Sequence, residues 1–282
     1  GKKMPARLEE FIGGFVWDLF YGPFYKLAEV VWITLMDLSL GVIGKTPSQF
    51  SPSAWSYVAH TLYPWTLGIG LSMVNVFFIC SFLKAVSNLK EQVTLELFIE
   101  GMIRLVAVNV LFQMGFNLMK TFFSMASAMS GEIIDFQGPP LFTEEVDIGS
   151  HLFWWLFGLL YFLVALVCGI MIFLTLYSRY IKLYMLVVCF PLAMPSLISG
   201  RGIAETAKAW LRNFLGNAFE VVVIALVISI SGKIIGGFNL PESSFADFFD
   251  GFGQALKSLI YMIGMTGAVK GANNFMNKTF HL

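Results

Sequence analysis

Polar side chains recur down one face of a single apolar stretch: Asn109, Gln113, Asn117, Lys120, Ser124 and Ser127. On a helical wheel they fall within an arc of about 80°. A charged side chain at mid-bilayer costs about 2.5–3.5 kcal/mol on insertion scales, so such a stripe faces protein or water. Two readings stand side by side. In one, the stripe walls an aqueous path or forms a polar seam between subunits. In the other, Lys120 snorkels outward and the amides hold neighbouring helices together at about 0.6 kcal/mol per bond. A weaker copy of the pattern follows at Asn213, Asn217, Glu220 and Ser231, within about 60° on the same wheel. Glu220 can pair there with Arg212, Lys208 or Arg104, which would be purely structural.

Constellations for catalysis do not appear. His60, His151 and His281 sit in loops or near the end of the chain, with no HExxH and no His–carboxylate pair at helical spacing. There is no Walker A, no GxGxxG opening a helix and no serine in a nucleophile elbow. The expectation is therefore a protein that is not an enzyme. Cys80, Cys168 and Cys189 all lie in apolar stretches, without metal-ligand spacing, and read as packing residues. No metal and no cofactor is expected.

The elements that must carry the stripes are long and apolar. Hydrophobic residues make up 57% of the chain and charged residues 13%, against about 25% charged in soluble domains. From Leu152 to Leu176 no side chain is charged, which as a helix is roughly 37 Å, enough to cross a bilayer core with some tilt. The formal net charge of zero hides a segregation. The loop from Gly131 to His151 carries Glu132, Asp135, Glu144, Glu145 and Asp147 and no base. The stretch from Arg179 to Arg212 carries Arg179, Lys182, Arg201, Lys208 and Arg212 against Glu205 alone. Basic loops stay cytoplasmic, so these two face opposite sides of a membrane.

The spans follow from that frame. The first runs from Leu62 to Leu83, with Gly68, Ser72 and Asn75 as a small-residue seam for close helix contact. The second runs from Met102 to Met129 and the third from Leu152, its all-round apolarity suggesting a largely lipid-facing helix. The fourth covers Phe214 to Gly237 and the fifth Phe252 to Gly271, where Gly232 and Gly236, then Gly267 and Gly271, are GxxxG pairs suited to packing. The loop between the last two holds Glu242, Asp247 and Asp250 and belongs outside. Lys233 and Lys257, near the outer ends, are expected to snorkel. Ile181 to Ser199 is apolar too, but both its ends are basic. It must enter and leave by one face, as a re-entrant or broken segment with Pro191 and Pro195 as the break.

Residues 5 to 44 are apolar but interrupted by Asp18, Lys26, Glu29 and Asp37 on one face, with Gly22-Pro23 in the middle. They read as two amphipathic helices in the membrane interface, or else as a poorly hydrophobic sixth span. Lys45 to Ser56 reads as a loop. No cleavable signal peptide is visible at the N-terminus. The fold class is thus all-α integral membrane protein: an N-terminal amphipathic region and loop over 1–61, then a helical transmembrane domain over 62–282. About five transmembrane helices leave the N-terminus outside and the C-terminus cytoplasmic.

From Leu152 to Gly237 the order of features resembles the TrbL-type polytopic subunit of type IV secretion and conjugation machines, the equivalent of the sixth VirB protein. The features are a long apolar span, the basic turn Ser178-Arg179-Tyr180-Ile181-Lys182, and Leu186 to Pro195 reading LVVCFPLAMP. Gly200-Arg201-Gly202, an amphipathic segment around Trp210 and a span opening with Gly216-Asn217 come next. The loop from Gly131 to His151 departs from the pattern, being short where many relatives carry a large domain. The resemblance implies a channel or scaffold subunit in the bacterial cytoplasmic membrane. It would help translocate single-stranded DNA with its relaxase, or protein substrates. It also implies partner ATPases, other secretion subunits and membrane lipids, while a homo-oligomeric ring follows from having too few spans for a wide channel. The alternative is a stand-alone secondary transporter with its site at the broken 181–199 segment.

Overall fold

The computed structural model describes residues 22–87, 95–136, 151–199, 205–238 and 252–280, and its elements there are helices joined by short turns. Helix α1 is Gly22–Ile43, α2 Pro47–Phe50 and α3 Pro52–Tyr57, followed through the π-helical turn Val58–Leu62 by α4, Tyr63–Ser87. Helix α5 is Leu95–Ile133 and α6 His151–Ala193, ending in the 3-10 turn Met194–Ser199. Helices α7, Glu205–Gly237, and α8, Phe252–Thr279, complete the chain. The chain is an all-α membrane protein. Four segments are long and apolar enough to cross a membrane: Pro52–Lys84, Phe98–Ile133, Trp154–Ile198 and Glu205–Gly237. The expected fifth span is helical, as α8, but is not among those four, since Lys257, Lys270 and the asparagines 273, 274 and 277 dilute its apolar run. The acids Glu144, Glu145, Asp147, Glu242, Asp247 and Asp250, the base Arg201, residues 5–21 and His281 lie outside the described residues.

The described chain divides into two units that do not follow a cut at residue 61. One gathers the described residues of Gly1–Ile43, Ser130–Leu176 and Val223–Ala272; the other gathers those of Gly44–Met129, Tyr177–Val222 and Asn273–Leu282.

In the first unit α1 covers Gly22–Ile43 as one helix. Tyr25, Ala28, Trp32, Met36 and Ser39 form its buried face. Tyr25 lies 5.4 Å, ring to ring, from Tyr161 and donates its hydroxyl to the Trp154 carbonyl at 3.1 Å. Ten residues on, Leu35 packs against Gly169. The two helices therefore run parallel and in step, with the aromatic face of α1 buried on the most apolar stretch of the chain. The exposed face of α6 (Leu156, Leu160, Leu163, Val167 and Leu174) fits the lipid-facing expectation, while Trp154, Tyr161, Ala165 and Ile172 make a buried stripe on the other side. Ser130 donates to the Ile43 carbonyl at the end of α1, and Ser229 to the Ile133 carbonyl at the end of α5, so neither terminus is left uncapped. Lys233, expected to snorkel, meets Asp135 at 3.3 Å.

In the second unit Lys45 to Ser56 is not a plain loop. Pro47 and Pro52 sit at first helical positions and start α2 and α3, each behind a Thr or Ser N-cap. The Tyr180 and Tyr184 hydroxyls fasten this turn by donating to the Lys45 and Pro47 carbonyls. The core joins α4, α5, α6 and α7 through Val74, Phe112, Phe123, Phe190, Trp210 and Phe214. The break expected at Pro191 and Pro195 falls only at the second. Helix α6 continues through Pro191 to Ala193, then tightens into the 3-10 turn at Met194, the residue before Pro195, where the α conformation is disfavoured. Ile181 to Ala193 is thus a continuation of α6 and not a separate re-entrant element. Helix α4 packs on it through Gly70: a side chain there would run into the Pro191 carbonyl oxygen. The seam expected at Gly68, Ser72 and Asn75 is exposed instead, and the buried face is Tyr63, Thr66, Gly70 and Val74. Gly267 and Gly271 likewise have open space around them, so that GxxxG pair makes no close helix contact among the described residues; of the other pair, Gly236 is open and Gly232 is buried.

Candidate functional site

Helix α5 carries the first set of candidate residues, all within the second unit. Its buried face is Val108, Phe112, Met119 and Phe123, at spacings of four, seven and four. That choice turns Asn109, Gln113, Asn117, Lys120 and Ser124 outward, and all five are exposed. Local bonds take up part of their polarity. Asn109 donates to the Leu105 carbonyl at 2.9 Å, and the Lys120 ammonium lies 5.4 Å from the centre of the Phe116 ring. The structure therefore presents the stripe as one continuous polar face on a helix apolar enough to span a membrane. Ser127, at its end, turns back and donates to the Gly44 carbonyl.

The second set, on α7, faces the other way. Asn217 and Glu220 are buried, at 4% and 3% exposure. They meet Arg179 of α6, itself buried, whose guanidinium donates to the Asn217 and Ala218 carbonyls at 2.9 Å each. Asn217 donates to the Asn213 side chain at 2.7 Å. The partners of Glu220 are not Arg212, Lys208 or Arg104. Arg104 pairs with Glu100 one turn away on its own helix, and Arg212 and Lys208 project from an exposed face. Glu220 is hydrogen-bonded by Asn273 and lies in the field of Lys182 and Arg179. The two predicted sets are thus separated: one is an outward stripe, the other the floor of an inward cluster.

Beside Asn217 lies a hollow of about 400 Å³ among Lys182, Met185, Cys189, Asn213, Asn217 and Asn273. Arg179 Nη1, Asn217 Oδ1 and Glu220 Oε2 have no hydrogen-bond partner among the described residues. One donor and two acceptors, buried in one cluster, suit ordered water, because buried polar groups are normally paired. Two basic side chains, Lys182 and Arg179, stand against the one carboxyl of Glu220.

Pro191 and Pro195 contribute shape more than chemistry. Pro191 brings its backbone against Gly70, and the turn at Pro195 is held by Ser196, which donates to the Ala193 carbonyl and accepts from the Ala207 amide in the first turn of α7. The residues that sequence reasoning missed are Arg179 as a buried donor and Asn273 as a carboxylate partner. Arg179 reads as a basic turn ending a span, and nothing local to it signals that it points inward. Among the described residues no group of three or more His, Cys, Asp or Glu could hold a metal ion. No family model, curated protein or solved structure matches the chain.

Proposed function

We propose that this protein is a channel or scaffold subunit of a conjugative type IV secretion system, embedded in a bacterial cytoplasmic membrane. One observation carries the reading: Asn109, Gln113, Asn117, Lys120 and Ser124 are exposed together along a membrane helix. Lipid is a poor neighbour for that face, because amides and an ammonium left against hydrocarbon lose their hydrogen bonds. A second copy, a partner subunit or a water-filled path must cover it. Four or five spanning helices are too few to enclose a polymer, so several copies form a ring by repeated head-to-tail contacts. Single-stranded DNA with its relaxase, or a protein, is the cargo, and partner ATPases supply the energy. The resemblance over Leu152 to Gly237 supports the choice of machine.

The test is Gln113→Leu with Asn117→Leu. The double variant is more apolar than the parent and inserts normally, yet conjugative transfer should fall to background. Met114→Leu with Met125→Leu, exposed apolar positions off the stripe on the same helix, should transfer like the parent. Co-purification of differently tagged copies then separates a broken seam from a dried path. Parental transfer by the stripe variant would remove the observation on which the reading stands.

A second reading draws on the hollow beside Asn217 and Lys182. Its polar floor beside the 181–199 segment suits a stand-alone secondary transporter binding a small polar solute. Solute flux in vesicles holding this protein alone, lost in Asn217→Ala, would favour that reading over the secretion subunit.

A further inference from the structure

The second unit contains a groove of about 250 Å³ that neither stripe nor hollow uses. Gly115 and Phe122 of α5, Phe190 and Met194 at the end of α6, and Trp210 and Phe214 of α7 wall it. Trp210 is held rigid there. It stacks on Phe214 with ring centres 5.0 Å apart, meets Phe190 edge-on at 5.1 Å, and donates its indole N–H to the Leu186 carbonyl at 2.9 Å. The only charged residue in the lining is Lys208. Lys208 also borders a second, polar hollow of about 360 Å³, shared with Glu205, Arg212, Asn213 and Asn277. An apolar slot and a basic basin therefore meet at one side chain, whose stem is apolar and whose tip is charged.

We propose that this pair of cavities is a binding site for an anionic phospholipid, with one acyl chain in the groove and the phosphate on Lys208 and Arg212. The groove is smaller than the roughly 300–1,000 Å³ of pockets that engulf a whole small ligand, which fits a single chain entering from the bilayer. The basin holds two bases against one acid. Lys208 and Arg212, one turn apart, make no ion pair among the described residues. The amides of Asn213 and Asn277 add donors for phosphate or glycerol oxygens, and the site lies at the N-terminal end of α7, where the helix dipole favours an anion. Glu205 disfavours a second phosphate. Basic pockets between membrane helices on the cytoplasmic side take anionic headgroups on the same physical grounds.

The experiment uses the full chain in detergent, equilibrated with mixed micelles of equimolar phosphatidylglycerol and phosphatidylethanolamine, then washed by gel filtration. Mass spectrometry reads the retained lipid. Phosphatidylglycerol should be enriched about fivefold, the worth of one net basic residue near an anionic headgroup. Lys208→Gln with Arg212→Gln should return the ratio to that supplied, while Lys84→Gln with Lys257→Gln should leave it enriched. Neither inorganic phosphate nor dihexanoyl phosphatidylglycerol, which lacks a long chain, should displace the retained lipid. Equal retention of the two lipids by the unaltered protein overturns the proposal, and needs no variant to fold. Enrichment that survives in the Lys208/Arg212 variant, falls equally in the Lys84/Lys257 variant, or yields to free phosphate overturns it as well.

Discussion

Gly70→Ala isolates one packing contact between α4 and α6. A methyl at Gly70 would run into the Pro191 carbonyl oxygen, with the Pro191 Cβ also only 3.1 Å away. At Gly68, on the same helix, a methyl would find nothing within 4 Å. Both substitutions gain the same helix propensity, roughly 0.8–1 kcal/mol, so that term cancels when the two variants are compared. What remains is overpacking against backbone, about 1–3 kcal/mol in a close-packed interior. A change of 1 kcal/mol moves Tm by about 2–4 °C in a protein of this general size. Gly70→Ala should therefore melt about 3–10 °C below Gly68→Ala, with Gly68→Ala at or above the parent. Tryptophan fluorescence during heating in detergent reads both variants side by side. Equal melting temperatures would mean that α4 does not approach Pro191 through Gly70, and the packing described for the second unit would fall with it.

Arg179→Met removes two charge-assisted hydrogen bonds to α7 carbonyls and should cost about 3–5 kcal/mol. Adding Glu220→Gln should cost less than the sum of the two single changes by at least about 0.5 kcal/mol; strict additivity in thermal or chemical unfolding would show that the two buried groups are not coupled. Tyr180→Phe and Tyr184→Phe each remove one hydroxyl donor to the Lys45–Pro47 turn, so each should cost about 0.5–1.5 kcal/mol, and parental stability of both would mean the turn is held by other contacts. Single cysteines at Glu144 and Glu242, in a background lacking Cys80, Cys168 and Cys189, should label from outside intact cells with an impermeant maleimide. A cysteine at Lys208 should stay unlabelled, and its modification would invert the orientation argued from loop charge.

Several features were legible because they depend only on local chemistry. Runs such as Leu152 to Leu176 have one stable form in a bilayer, a helix with every backbone group bonded internally, so class and approximate spans could be read directly. The polar stripe on α5 was legible because five polar residues stand out against an apolar background. That it faces outward and not into the protein was not legible, since a wheel gives the angle of a face but not what lies opposite it.

Where the background itself is uniformly apolar, the wheel has no contrast, and only tertiary packing decides. Gly68, Ser72 and Asn75 looked like the contact face of α4, yet Gly70 makes the contact, because the Pro191 carbonyl oxygen sits where a side chain would otherwise be. Pro191 looked like a break and is not one, since the packing of Leu186, Val187 and Phe190 around it holds the helix on to Ala193. Arg179 looked like a membrane-edge base and is buried, because two α7 carbonyls and the field of Glu220 offset its desolvation. The sequence by itself determined that the chain is helical, belongs in a membrane and carries polar faces there. Which faces close on one another, and which stay open for a partner or a lipid, was decided by contacts between residues tens to more than a hundred positions apart, which no local periodicity encodes.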